Sequence, residues 1–295
     1  MAKSFKYQRP TTITEACELK TEHGSSARFL AGGTDLILNW QRGTVNFKHC
    51  IDLTFIPDLK YINQTETDFR IGTLVTLAAI EAAGGKQNGP AGALGNVARQ
   101  MCTPQIRTLA TIGGNLCNAS PAADLPVLLM VLDAQVALAG ASGERTVPIA
   151  GFFTGVNQTV LKDDEMLTEI RIPLPGPKAA CAYERATRMV VDCNQTNAAV
   201  ALSLDADGIV ADARISLGAV APVPIRATGA EKILVGMNVA NAKKDMIAQV
   251  SDQAAAETKP ITDLRASADY RKEISRVLVK RCIESSIVKL EGVIS

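Results

Sequence analysis

Two pairs of adjacent glycines limit this chain more than any other feature: Gly32-Gly33 in "LAGGTD" and Gly113-Gly114 in "TIGGNLCNASPAADLP", some eighty residues apart. Each interrupts an apolar run where a Cβ would block the close approach of a ligand such as a pyrophosphate to the backbone. Each reads either as a tight turn or as a cradle whose consecutive N–H groups meet an anion such as a pyrophosphate. Thr34, Thr111 and Asn115 add side-chain donors beside them. Asp35 and Asp124 each stand where they could simply cap the helix that follows, "LILNW" and "LPVLLMVLDA".

The 295 residues are 47% apolar and 21% charged, with a formal charge of +1, which suits a globular chain with a sizeable core. No run of one sign marks a nucleic-acid or anionic-membrane surface. "MAKSFKYQRPTTITEA" lacks a signal-peptide core and nowhere do eighteen apolar residues run together, so a cytoplasmic setting is expected. The seven cysteines, at 17, 50, 102, 117, 181, 193 and 282, include no CxxC pair, which argues against a disulfide framework or a four-thiolate metal site. Only His23 and His49 are present, without metal-ligand spacing, so no metal is expected and any redox centre is expected to be organic. No GxGxxG follows a strand, "AAGGKQNG" lacks P-loop spacing, and there is no GxSxG elbow.

Periodicity predicts a strand at "FKYQRP", a helix at "TITEACELKTEHG" capped by Thr12 or Thr14 and ended by Gly24, then strand, tight turn and helix through "ARFLAGGTDLILNWQRG". Strands follow at "HCIDLTFIPDL" and "FRIGTLVTL", a short helix at "AIEAA", and a helix over 89–108 interrupted before Pro104. "PVLLMVLDA" has the density of a buried helix, and "AQVALAG", "ERTVPIA" and "EMLTEIRIPLP" alternate like strands. Three prolines and a glycine in "IPLPGPKAA" place a domain boundary near residue 175. Beyond it come strands around an Asp207-Gly208 hairpin, an alanine-rich helix over 240–258, and a terminal helix with Tyr270, Ile274, Val277, Leu278 and Ile287 near one face.

"FLAGGTDLILNWQRG", "RTLATIGGNLCNASPAADLPVLLMVLDAQVAL", "EMLTEIRIP" and "AYERATRMVVDCNQTNAAVAL" resemble, in register over effectively the whole chain, the FAD-binding subunit of the molybdenum hydroxylases. That family includes the middle subunits of bacterial carbon monoxide, xanthine and nicotinate dehydrogenases. The resemblance implies an α+β fold of the vanillyl-alcohol-oxidase (PCMH) type. Two α/β subdomains, about 1–55 and 56–175, would hold FAD, and a C-terminal α/β domain, 176–295, would complete the pocket.

It further implies a first FAD loop of Phe29, Leu30, Ala31, Gly32, Gly33, Thr34, Asp35 and Leu36, and a second of Ala110, Thr111, Gly113, Gly114 and Asn115. Asp124 would bond the flavin's sugar-alcohol chain, Met101 would lie against the cofactor, and the backbone of Met166 and Leu167 would meet the adenine end. Where relatives often carry a lysine, this chain has Glu184, with Arg185 and Arg188 nearby. Either Arg185 takes over that role or the register is off by one. The 188–197 segment would cover the isoalloxazine.

The implied partners are a small subunit with two [2Fe–2S] clusters and a large molybdopterin subunit, assembled as a dimer of heteromers. The implied electron acceptor is NADP+ or NAD+, and nicotinate or another N-heteroaromatic is the expected substrate. Xanthine and carbon monoxide are the alternatives within the family. No cysteine-rich insertion is present, so no iron–sulfur cluster is expected in this subunit. A stand-alone flavin oxidase or reductase, and a scaffold whose glycine pairs are only turns, are the readings of other classes.

Overall fold

A computed structural model of the chain describes residues 4–85, 89–241 and 244–294, so part of "AAGGKQNG" and residues 242–243 of the alanine-rich stretch lie outside the described residues. Three sheets, each with its own apolar cluster, organise the chain.

The first is parallel: β1 (Lys6–Gln8) and β2 (Ala27–Leu30) flank β3 (His49–Asp52), with α1 (Ile13–His23) and α2 (Leu36–Arg42) as the crossovers. Thr12 is the cap of α1, its hydroxyl accepting from Glu15 N at 3.1 Å, and Gly24 ends the helix at φ +51°. The buried Lys20 donates to Gly24 O at 2.8 Å. α2 buries no side chain fully; Trp40 instead packs with Phe5 and Phe47.

The second sheet is antiparallel, in the order β4 (Ile62–Gln64), β5 (Asp68–Gly72), β10 (Met166–Pro173), β6 (Gln135–Gly140), β7 (Gly143–Pro148). Its helices come between β5 and β6: α3 (Leu77–Gly84), α4 (Gly89–Gln100), α5 (Pro104–Arg107), α6 (Ile112–Asn118) and α7 (Leu125–Val131), and a small hairpin of β8 (Phe153–Gly155) and β9 (Gln158–Thr159) precedes β10. All seven residues of α7 are buried, as its apolar density predicts. β10 ties the first two units together, because Met166 packs into the core of the first and Leu167 into that of the second.

The third sheet is antiparallel, β11 (Ala179–Ala186), β12 (Thr196–Leu204), β13 (Val210–Gly218) and β14 (Ile225–Arg226), with the expected hairpin at Gly208, φ +78°. Alternation gives this sheet two covered faces. Ala182, Ala198, Val200 and Leu202 pack with α8 (Thr228–Leu234), α9 (Lys244–Ala256) and α10 (Ala268–Ile294), whereas Cys181, Tyr183, Ala199 and Ala201 pack on the core beneath α7. The buried residues of α10 are Arg271, Ser275, Leu278, Val279, Cys282, Ile283, Ser286, Ile287 and Leu290, and Tyr270, expected on that face, is 45% exposed. Arg271 takes the place in the buried line because its guanidinium reaches Ala219 O at 2.7 Å and Asp263 at 2.7 Å. Among the described residues, no helix is long and apolar enough to cross a membrane.

Candidate cofactor-binding site

The first glycine pair meets the approach to the second. A Cβ on Gly32 would lie 1.9 Å from Leu109 O and 3.1 Å from Ala110 Cα, so the loop leaving β2 presses directly on the segment that enters α6. Residues 109–110 are held in turn by Ala110 N donating to Ile106 O at 2.8 Å and by Ala110 O accepting from Leu77 N at 2.9 Å.

The pairs do different work. In the first loop, Gly33 takes the left-handed conformation at φ +70°, and Ile37 N and Asn39 N donate back to Gly33 O and Asp35 O. Among the described residues, nothing accepts from the N–H groups of Gly32, Gly33, Thr34 or Asp35, which leaves four successive backbone donors at the start of α2. Such a run has the donor pattern of an anion-binding nest. Asp35 stands at the N-cap position of α2 but its side chain caps nothing. Phe29, Leu30, Ala31 and Leu36 are half-buried and anchor the two ends of the loop.

Gly113 and Gly114 are neither a turn nor a nest. They lie in the first turn of α6, capped by Thr111, whose hydroxyl accepts from Gly114 N at 3.0 Å. Gly113 N donates to Thr73 O and Asn115 N to Thr111 O, both at 3.0 Å. Gly113 is required by packing, since its Cβ would fall 1.6 Å from Thr73 Oγ1 and 2.8 Å from Thr73 O. The polar group left over at this helix start is Asn115 Oδ1, which is buried without a partner.

Asp124 begins α7 but makes no cap bond. Its Oδ1 accepts from the Tyr183 hydroxyl at 2.6 Å and lies 3.1 Å from an Arg185 nitrogen, both side chains of the ion pair being buried. Asn197 braces this arrangement, donating to the Tyr183 hydroxyl and to Ala123 O at 3.0 Å each. Burial and the neighbouring carboxylate push the Tyr183 phenol well above its usual range, so it stays a hydrogen-bond donor.

Arg185 also donates to Gln100 O at 2.7 Å and to Asp192 O at 2.5 Å, joining the end of α4 to the 187–195 loop. Strand alternation turns the two candidates on β11 to opposite faces: Arg185 shares a face with Tyr183, while Glu184 lies toward α10, near Cys282. Between α4 and α5, Cys102 adopts φ +50°, held by Arg107, which donates to Met101 O and Cys102 O at 3.0 Å and to Glu81 at 2.8 Å. Burial raises the Cys102 thiol, as do Asp124, Cys193 and Asp35, and Arg185 opposes them. The groups that act on this one thiol thus come from the first loop, from α7 and from β11.

Met101, Met166 and Leu167 have side chains at most 3% exposed, so what they could offer a cofactor is backbone rather than side chain. Sequence reasoning missed Tyr183, Asn197, Thr73 and Gln100. Tyr183 alone carried a signal, its i, i+2 relation to Arg185 on a strand.

Replacing Asp124 by Ala leaves the buried Arg185 guanidinium without its carboxylate, which typically costs about 3–5 kcal/mol, against about 1 kcal/mol for a lost helix cap. Urea denaturation of Asp124→Ala distinguishes the two. A loss near the cap value rejects a structural role for the Arg185 pair.

The comparisons with known proteins agree along the chain. The family described as "FAD binding domain in molybdopterin dehydrogenase" matches residues 3–175, and the "CO dehydrogenase flavoprotein C-terminal domain" matches residues 181–286. The carbon monoxide dehydrogenase medium chain of Afipia carboxidovorans is 34% identical, with 95% of this chain and 96% of that one covered. The xanthine dehydrogenase FAD-binding subunit of Escherichia coli O157:H7 is 29% identical, with 97% of each chain covered. A chain of the crystal structure of a cyanide-inactivated Cu,Mo-CO dehydrogenase superposes with a TM-score of 0.91 at 34% identity, with 98% of this chain and 99% of that chain covered.

A three-unit α+β fold matched along its length in this way is that of a flavin-carrying oxidoreductase subunit. The chain belongs to the FAD-binding medium subunits of the xanthine dehydrogenase and carbon monoxide dehydrogenase family of molybdenum hydroxylases.

Proposed function

We propose that this subunit holds FAD with its pyrophosphate on the N–H groups of Gly32, Gly33, Thr34 and Asp35, walled by the start of α6, and passes electrons from partner-held [2Fe–2S] clusters to NADP+ or NAD+. The contact of Gly32 with residues 109–110 supports this reading, because it brings the loop that bears the four free N–H groups against the segment that enters α6. Bound flavin supplies the exchange between one-electron and two-electron steps. The protein supplies orientation and shelter from water.

In this reading Asn115 presents its unpartnered oxygen, and Asp124, already oriented by Tyr183 and Arg185, accepts from a hydroxyl of the sugar-alcohol chain. The 187–195 loop, tied to α4 through Arg185 and tipped by the exposed Met189, Val190 and Val191, shields the isoalloxazine from solvent. The buried ion pair of Asp124 with Arg185 supports this placement, since the same guanidinium also bonds the loop through Asp192 O.

We assign residues 1–175 to the flavin-binding part, with subdomains of about 1–55 and 56–175, and residues 176–295 to the C-terminal domain. The complex is read as a dimer of heteromers with an [2Fe–2S] subunit and a molybdopterin subunit, acting on an N-heteroaromatic such as nicotinate. The name of the E. coli relative, a xanthine dehydrogenase, supports a heteroaromatic. Carbon monoxide is the second reading, favoured by the Afipia relative.

Purification of the native complex tests the assignment. The expected result is co-purification with iron–sulfur and molybdenum subunits, and reduction of NADP+ or NAD+ on addition of nicotinate. An isolated chain that oxidises an organic substrate without partners rejects it. Turnover with carbon monoxide but with no heteroaromatic decides for the second reading.

A further inference from the structure

Cys102 and Cys193 sit on the two segments that Arg185 joins. Its guanidinium, a rigid fork of donors, reaches Gln100 O at 2.7 Å and Asp192 O at 2.5 Å. Cys193 follows Asp192 directly, and its N–H donates to the Asp192 carboxylate at 2.9 Å, which fixes the loop at that point. Cys102 lies two residues beyond Gln100, in a left-handed conformation that Arg107 holds through the carbonyls of Met101 and Cys102. Both sulfurs are free thiols, Cys193 exposed and Cys102 half-buried, and the Cys193 thiol is among the groups that act electrostatically on the Cys102 thiol. Two thiols of different exposure thus lie on the two backbone segments that the Arg185 guanidinium joins, one at the α4–α5 junction and one in the 187–195 loop.

We propose that Cys102 and Cys193 are a redox pair: a hydroperoxide oxidises them to a disulfide that bolts the 187–195 loop to the α4–α5 junction and so locks the cofactor cleft. The locking half rests on the cleft reading given above; the disulfide itself does not. Cys193, the exposed thiol, reacts first as its thiolate, attacking one oxygen of hydrogen peroxide. The O–O bond breaks, hydroxide leaves and takes up a proton, and Cys193 carries a sulfenic acid. Cys102 then attacks that sulfur and gives up its thiol proton: the S–S bond forms, the S–O bond breaks, and the second oxygen takes that proton and leaves as water. The two sulfurs give up two electrons, and the peroxide becomes two waters.

The join between these segments must hold for this to work. It is held by the hydrogen bonds of Arg185 to the backbone carbonyls of Gln100 and Asp192, and the same guanidinium is paired with Asp124.

The test uses the full chain, reduced, freed of flavin and treated with hydrogen peroxide, after which remaining thiols are alkylated and non-reduced peptides are mapped by mass spectrometry. The expected result is the loss of two of the seven thiols and a linked peptide containing Cys102 and Cys193. The link should be reversed by dithiothreitol and absent from Cys102→Ser and Cys193→Ser. Cys193 found as sulfinic acid with Cys102 still alkylated, or Cys193 linked to a different cysteine, overturns the pair. Uptake of FAD by the same oxidised chain is expected to be slower and to recover on reduction. A mapped disulfide with unchanged uptake overturns the lock. Failure to take up FAD in either state rejects the cleft reading and the lock with it, while the peptide map still judges the disulfide.

Discussion

Gly32→Ala is expected to yield a chain that folds in its separate units but holds FAD at least about 100-fold more weakly, a loss of roughly 2.7 kcal/mol. The new methyl group would sit 1.9 Å from Leu109 O, a backbone atom that cannot turn away as a side chain would. Residues 109–110 cannot retreat either, since Ala110 is held from both sides by Ile106 and Leu77. The loop bearing the free N–H groups must therefore lift from α6, and overpacking of this kind costs about 1–3 kcal/mol even after relaxation. Gly33→Ala makes the control. There the Cβ would meet only side-chain tips of Leu30 and Ile37, at 3.1 and 3.3 Å, and the φ of +70° adds a strain of about 1–2 kcal/mol without parting the loops. Fluorescence titration of FAD with each variant, alongside thermal melts, separates them. Wild-type affinity in Gly32→Ala would show that the contact between the glycine loops is not needed for the cofactor.

The strands and helices that periodicity predicts are those whose stabilisation is local or one-sided. α1 has its Thr12 cap, α7 its continuous apolar run, and the β12–β13 hairpin its Gly208. What pattern could not show is anything decided by a partner distant in the chain. Gly113 and Gly114 are poor helix formers, at about 1 kcal/mol each relative to alanine, and read naturally as a turn. They are helical because Thr111 caps them and because Thr73, forty residues earlier, occupies the space a side chain would need.

Asp124 looked like a cap because it precedes a helix, but a tyrosine and an arginine from the third sheet outcompete the helix N–H groups for its carboxylate. Which of Glu184 and Arg185 shares a face with Tyr183 depends on the phase of one strand, which the polar residues of "AYERATR" leave open and the packing of α10 sets.

The same reasoning predicts opposite behaviour from the two glycines of the second pair. Gly113→Ala should lower the urea midpoint markedly, by an equivalent of about 2–3 kcal/mol, because its methyl would drive into Thr73 and displace the carbonyl that accepts from Gly113 N at 3.0 Å. Flavin loss in that variant would follow from a displaced α6 and says little by itself. Gly114 is different: its Cβ would meet only Thr111 Oγ1, at 3.0 Å, and alanine there gains up to about 1 kcal/mol in helix propensity, so Gly114→Ala should be near neutral in stability. Gly114→Val then adds branched bulk beside Asn115 at the mouth of the proposed cradle while leaving the Thr73 contact alone. A midpoint close to wild type with flavin affinity reduced at least about tenfold, or roughly 1.4 kcal/mol, is the expected outcome. Full flavin content in Gly114→Val would remove the start of α6 from the cradle and leave the phosphate to the first loop alone. An unchanged midpoint in Gly113→Ala would mean that Thr73 yields, and that the second glycine pair is kept for the ligand rather than for the packing.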